Sequence, residues 1–289
     1  MLDAEIIFCG LSKNNLESLK KNIEFVMLYK QKSKFQNINV LLVDSNSDDG
    51  SKEYLTEISH LNNFINVIHK DDISSIDSRV ERIKICRNLC LNFINQHYKK
   101  KLLVYIPCDM DFYLFSKTSF NQLDTLVSKV IKDNTKSAIF PASEPYYYDI
   151  FALRAPGWLN INSQLIVSRL KKYFKLGSFI YNYFFIFRYQ LSPEKIKSKK
   201  YSLISAFGGI GIYNISDLDL SHQRYKVNDK DKDWYSEHLY FNRYFENLEI
   251  NVNWIVEAPK EHVMFKSYDF NSKLKYIIKS FKEDLKNIL

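Results

Sequence analysis

The sequence predicts an α/β fold: a mostly parallel central sheet with helices on both faces. Between Ala4 and about Asp149, short β-branched or apolar runs alternate with amphipathic stretches, the rhythm of strands joined by helical crossovers. The candidate strands also run into polar and acidic residues at their carboxyl ends, where open sheets of this kind collect ligands. A length of 289 residues, with 46% hydrophobic and 26% charged side chains, supports a real core and excludes wholesale disorder, collagen and coiled coil.

Strands are expected at residues 5–9, 39–44, 66–69, 102–107 and 137–141, and helices at 15–29, 50–58, 79–97 and 119–131. The first strand ends in Cys9-Gly10-Leu11-Ser12 without a G-x-G-x-x-G, which argues against a dinucleotide site. The second ends in Asp44-Ser45-Asn46-Ser47-Asp48-Asp49-Gly50-Ser51. Such short polar side chains turn a chain and cap the next helix, and they equally supply acceptors for ribose hydroxyls and base N–H groups. In the helix at 79–97, Val80, Ile83, Cys86, Cys90, Ile94 and His97 share one face, and Arg87 falls about 40° from Ile83, inside that stripe. An arginine there must be paired or snorkel, and Asp109, Asp111 or a bound phosphate are its candidate partners.

The fourth strand runs through Tyr105-Ile106-Pro107-Cys108 into Asp109-Met110-Asp111-Phe112. In an extended chain Asp109 and Asp111 point to the same side. Two close carboxylates on a dry sheet repel unless one is protonated or a cation lies between them. Hard divalent cations bind such oxygens and keep water and phosphate as further ligands.

After Asp149 the rhythm breaks. Residues 159–200 carry nine basic side chains against Glu194 alone, which equals the net charge of +8 for the whole chain. One basic, aromatic segment on a neutral body points to a single anionic contact surface rather than to nucleic acid. Residues 170–190 are too polar and too short to span a bilayer. They suit either an anionic lipid interface or a solvated flap over a second substrate. A glycine-rich apolar element follows at 203–213 and an aromatic helix at 234–245. Residues 272–289 place Leu274, Ile277, Ile278, Phe281, Leu285 and Ile288 at helical spacing among lysines, which fits a docked helix or one lying on a membrane surface. Cys9, Cys86, Cys90 and Cys108 have no metal or redox spacing and read as reduced, buried thiols. Met1-Leu2-Asp3 lacks the basic and long apolar regions of a leader, so a cytoplasmic protein is expected, peripheral at the inner face of a membrane if the basic segment meets lipid.

The 44–51 stretch together with Cys108-Asp109-Met110-Asp111-Phe112 resembles a nucleotide-sugar glycosyltransferase of the GT-A fold. The first is similar to the V-D-x-x-S-x-D-G-[ST] of family 2 enzymes and the second to their D-x-D metal motif. Arg87-Asn88 and Tyr146-Tyr147-Tyr148-Asp149-Ile150-Phe151-Ala152-Leu153-Arg154 resemble the cryptococcal capsule-associated mannosyltransferases, and residues 205–213 look like the small-residue acceptor-side element of GT-A enzymes. The resemblance covers roughly residues 4–245, and the basic insertion has no counterpart in it. It implies a nucleotide-sugar-binding half over 1–155 and an acceptor-binding half over 203–270; the residue pattern adds a basic aromatic insertion or flap over 156–202 and a C-terminal amphipathic helix over 271–289.

The same resemblance implies transfer of a hexose, mannose by the fungal likeness, from a GDP- or UDP-linked donor to a glycan or lipid-linked glycan in polysaccharide biosynthesis. A manganese or magnesium ion would sit on Asp109 and Asp111 with His262, unless that histidine is a surface one. Ser12, Asp44, Asp48, Arg82, Arg87 and Asp109 would hold the donor; Tyr148, Asp149, Arg154, Gly208 and Gly209 would hold the substrate. Glu237 would be the general base if transfer inverts configuration, with His238 beside it and Arg87 facing the leaving diphosphate; otherwise Glu237 is a helix-start charge next to a packed histidine. Two rivals share the fold. Nucleotidyl transfer needs a basic triphosphate loop, for which Cys9 to Asn15 offers only Lys13, and a non-catalytic glycan or membrane-surface binding module needs no metal.

Overall fold

The structure is a computed structural model that describes residues 4–98, 102–133, 136–173, 178–228, 230, 232–267 and 269–286. Its first half alternates strand and helix: β1 (Ala4–Ser12), α1 (Leu16–Lys32), β2 (Asn37–Asp44), α2 (Ser51–Leu61), β3 (Ile65–His69), α3 (Arg79–His97), β4 (Leu102–Asp109), α4 (Phe120–Lys132) and β5 (Ser137–Glu144). Helices α5 (Ser163–Tyr173), α6 (Ser178–Phe185) and α7 (Pro193–Lys197) follow. The chain then forms β6 (Ile212–Asn214), α8 (His238–Phe241), β7 (Asn247–Glu257), α9 (Lys260–Ser267) and α10 (Phe270–Lys286).

Alternation along each strand sets the layers. Ile6, Phe8, Val40, Leu42, Val104 and Ile106 enter one core with Leu19 and Ile23 of α1 and Leu123 and Val127 of α4. Ile7, Cys9, Leu41, Val43, Leu103 and Tyr105 enter a second core with Cys86, Cys90 and Ile94 of α3. The sheet is therefore covered on both faces, which is why its strands read as continuous apolar runs. All four cysteines are buried, unbonded thiols.

The strand order is β3-β2-β1-β4-β6-β5-β7, and β6 alone among the described strands runs antiparallel to its neighbours. From β1 the chain builds outward through β2 and β3, then returns to place β4 on the other side of β1. That reversal opens a crevice beyond the carboxyl ends of β1 and β4, the usual ligand position in an open α/β sheet. Parallel register sets Ser12 beside Asp44 and Leu11 beside Asp109. A Cβ on Gly10 would stand 2.6 Å from Leu42 Cδ2 and collide with Met110, so glycine here lets Met110 lie over β1, almost fully buried. With Met110 turned inward, Asp109 and Asp111 are turned out into the crevice.

The five expected strands and four expected helices of the first half are all present, α3 at the expected bounds and the others with shifted ends. Several later expectations are corrected. β6 starts at the end of the 203–213 element and runs past it, and β7 is a full strand beside β5 that the sequence reading omitted. The expected helix at 234–245 is broken into a 3₁₀ turn (Lys232–Trp234), the short α8 and a second 3₁₀ turn (Asn242–Tyr244). α10 packs against α6, with the Phe179 and Tyr276 rings 6.2 Å apart, but Leu274, Ile278, Phe281 and Leu285 remain exposed rather than docked. Phe174 and Lys175 of the basic segment, Ile288 of the last helix and Met1 to Asp3 fall outside the described residues. Among the described residues, no helix is long and apolar enough to cross a membrane.

Candidate active site

Two cavities meet at the crevice. The smaller, about 270 Å³, is walled by Leu11, Ser12, Lys13, Asn15 and Ser45 from the ends of β1 and β2 and by Arg79, Arg82 and Cys86 from α3. The larger, about 790 Å³, is walled by Arg87, Phe112, Tyr148, Asp149, Phe207, Trp234, Glu237 and His262, with Asn182 and Tyr276 at its far side. Arg79, Ile83, Asp109 and Asp111 line both, so the two carboxylates stand at the junction.

Helix α3 delivers the positive charge. Ser78 caps it by accepting from the Glu81 N–H at 3.2 Å, and its hydroxyl also donates to Asp233, which ties the 3₁₀ turn at Lys232–Trp234 to the helix start. Two turns further on, Arg87 is only 1% exposed. Its Nη2 donates to Asp109 at 2.7 Å and its Nε to Glu237 at 3.0 Å. The guanidinium lies 4.8 Å from the Phe207 ring centre, a cation–π contact. Burial opposes its charge, but Asp109 and Glu237 outweigh that and hold its pKa well above the ordinary value. Burial likewise lifts Asp109 to about 7, against the pull of Arg87 and with added repulsion from Asp111. Arg87 Nη1 is buried with no hydrogen bond, a spare donor at a site with room for an oxygen-rich ligand.

Two glycines brace the opposite wall from behind. The Gly208 N–H donates to Asp149 at 2.9 Å, and the Gly209 carbonyl accepts from the Asp109 N–H at 2.8 Å. Asp149 also accepts from the Ala152 N–H at 3.1 Å, while burial raises its pKa. Gly209 has φ of +83°, and a Cβ there would lie 2.5 Å from Phe112 Cζ and 2.7 Å from the Tyr148 hydroxyl. Gly209→Ala is expected to cost about 1–3 kcal/mol in denaturant unfolding, measured on the purified variant.

The remaining candidates separate into those in the cleft and those behind it. Ser12 lines the small cavity, its hydroxyl donating to Asn15 at 2.6 Å, and Arg82 lines it while donating to the Asp77 carbonyl at 3.0 Å. Tyr148, Asp149, Glu237 and His238 line the large one. His238 stacks on Phe207 at 3.7 Å, and burial, with Arg87 adding, holds its pKa well below the ordinary value, so its imidazole is neutral. Asp44 is a correction: it is fully buried and accepts from the Ser47 hydroxyl at 2.5 Å and the Ser47 N–H at 3.2 Å, holding the turn after β2 instead of reaching a ligand. Asp48 is placed by its N–H on Asn14 at 2.9 Å and lines neither cavity. Arg154 is also structural, donating to the Leu153 and Phe151 carbonyls while burial lowers its pKa to about 10. Gly208 and Gly209 position Asp149 and Asp109 from behind the wall.

The donor set can be compared with a divalent ion. Asp109 and Asp111 present hard oxygens to the cleft, close enough for Asp111 to raise the Asp109 pKa. They fit an ion that completes its shell with water and phosphate oxygens. Among the described residues no cluster of three His, Cys, Asp or Glu could form a ready-made cage. His262 stands in the wall of the larger cavity: its ring lies 5.5 Å from Tyr148, and it favours the charged form of Asp149. The sequence reading missed Asn15, Arg79, Phe112, Phe207 and Trp234. Phe112 and Arg79 directly adjoin residues it had singled out, whereas Phe207 and Trp234 reach the cleft only through tertiary packing.

The sequence matches no protein-family model and no curated protein. Among solved structures, the chain is similar to a mannosyltransferase from Pyrobaculum calidifontis in complex with GDP-Man and Mn²⁺, at 11% identity and a TM-score of 0.49, covering 89% of this chain and 57% of that one. It is also similar to mannosyl-3-phosphoglycerate synthase from Rubrobacter xylanophilus, at 10% identity and a TM-score of 0.41, covering 100% and 74%. A third similarity is to residues 1–349 of S. aureus TarS, at 11% identity and a TM-score of 0.44, covering 97% and 71%. The chain thus spans 57% of the length of the first of these structures.

Proposed function

We propose that the chain is a metal-dependent glycosyltransferase that moves a hexose from a nucleotide diphosphate sugar to a glycan or lipid-linked glycan. The observation that carries this reading is the position of Asp109 and Asp111 between a small polar cavity and a larger aromatic one, with Arg87 braced against Asp109. The small cavity has hydroxyl and amide groups from Ser12, Asn15 and Ser45 for a nucleoside, and Lys13, Arg79 and Arg82 to face its phosphates. The large cavity offers Tyr148, Trp234 and Phe207 as stacking surfaces and Asp149 and His262 as polar groups, a combination suited to sugars. Mannose is the hexose the sequence resemblance favours.

When the anomeric carbon–oxygen bond breaks, its electron pair leaves on the diphosphate and the ring becomes oxocarbenium-like. A divalent ion held by Asp109 and Asp111 would neutralise charge on that leaving group. Arg87 fixes Asp109 and keeps a permanent positive charge beside the departing phosphate. Glu237 lines the acceptor side and takes the acceptor hydroxyl proton if configuration inverts. His238, neutral and stacked on Phe207, leaves the proton to Glu237. The test is a hydrolysis and binding screen of GDP- and UDP-sugars with and without Mn²⁺. Metal-dependent release of one nucleoside diphosphate is expected; absence of any metal-dependent nucleotide binding across the panel would overturn the reading.

A further inference from the structure

Helix α10 is amphipathic in a way that its packing on the protein does not use. At about 100° per residue, Phe270, Leu274, Ile278, Phe281 and Leu285 fall within an arc of about 80°. All five are between 38% and 80% exposed, whereas Asp284, off that arc, is buried. Lys275, Lys279, Lys282 and Lys286 are exposed along one flank of the stripe. α6, which packs on α10, adds Ile180, Tyr183 and Phe184 at 45–50% exposure. Two packed helices therefore carry apolar side chains toward solvent with lysines beside them.

We propose that α6 and α10 together form a docking surface for an anionic lipid bilayer, which seats the cleft against a lipid-borne acceptor. Apolar side chains on such a face enter the headgroup boundary while lysines meet the anionic headgroups, so the helices lie on the membrane without crossing it. Charge selects this occupant. α10 carries five lysines against Glu283 and Asp284. A second copy docked on the same face would set like charges against each other, whereas an anionic bilayer supplies the opposite sign. Asn182 and Tyr276 of the same two helices line the 790 Å³ cavity, Tyr276 from the side of α10 about 160° away from the centre of the stripe, so the surface lies about one helix diameter from the cleft. The lipid-borne acceptor rests on the sugar-transfer reading; the docking surface rests on its own side chains.

The test is vesicle flotation of the full chain. Binding to phosphatidylcholine vesicles containing 30% phosphatidylglycerol is expected to be at least ~10-fold tighter than to phosphatidylcholine alone and to weaken with salt. Leu274→Glu combined with Ile278→Glu should reduce it by ~10-fold or more, with circular dichroism and nucleotide binding unchanged. Lys279→Glu with Lys282→Glu, which leaves the apolar stripe intact, should reduce it chiefly at low salt. No preference for anionic vesicles, or binding unaffected by both double variants, would overturn the proposal. So would light scattering that shows a dimer made monomeric by Leu274→Glu with Ile278→Glu, since the face would then join copies of the chain. Vesicle binding without turnover of any nucleotide sugar would instead count against sugar transfer and leave the docking surface standing.

Discussion

Arg87→Ala is expected to unfold about 3 kcal/mol more easily than the parent chain at pH 8, and to bind a nucleotide-sugar donor at least ~10-fold more weakly. Removing one member of a buried ion pair leaves its partners charged in a poor environment, at a typical cost of about 3–5 kcal/mol. The lower figure applies because the Asp109 side chain is 36% exposed to the cleft, although Glu237 is only 6% exposed. For a chain of this size the melting temperature should fall by roughly 5 °C.

The pH dependence has a definite sign. Asp109 sits at about 7, above its ordinary value, so it binds its proton more tightly folded than unfolded, and the folded state loses stability as pH rises toward 7. Arg87 is the group that holds this shift down, so without it the window extends to higher pH and the deficit grows from pH 5 to pH 8. Denaturant unfolding at both pH values measures it. An equal deficit at pH 5 and pH 8 would mean that Arg87 acts by packing and not by charge. Arg87→Lys should recover part of the stability and little of the donor affinity, because one ammonium cannot reach Asp109 and Glu237 together in the way the fork does.

Much of this was legible before coordinates. The apolar runs of β1, β2 and β4 fixed the sheet, and the placement of Arg87 inside the apolar stripe of α3 required a partner, which is Asp109. Glu237 as its second partner was not legible: the two lie 150 residues apart, and no local pattern connects them. β7 carries a readable signal, since Leu248, Ile250, Val252 and Trp254 alternate with Glu249, Asn251 and Asn253, beside the longer aromatic pattern before it. β6 has three residues, too few for any period, and exists only because β4 and β5 flank it. Asp44 shows the limit of motif reading. A carboxylate at a strand end can face a ligand or fold back on its own turn, and Ser47 decides the matter by taking both of its oxygens.

Asp111→Asn should lower turnover at least ~100-fold while leaving the fold and its melting temperature unchanged. The contrast with Arg87 follows from position. Asp111 is exposed in the turn after β4, and its chain direction is set by Met110 beneath it, so its side chain is free to serve the cleft. Asparagine keeps the shape and one oxygen but removes the charge that a divalent ion requires beside the charge that Asp109 shares with Arg87. Because Asp109 lies at about 7 and must be unprotonated to ligate, Mn²⁺ affinity in the parent chain should fall about tenfold per pH unit below 7 and flatten above it. In Asp111→Asn the repulsion from Asp111 is gone, so Asp109 loses its proton at lower pH, and whatever weak metal affinity remains should persist to more acid conditions. Calorimetric Mn²⁺ titrations of both proteins between pH 5.5 and 8 separate a lost ligand from a lost fold. Undiminished turnover in Asp111→Asn, or parent affinity flat across that range, would leave the two carboxylates as no more than an acidic turn.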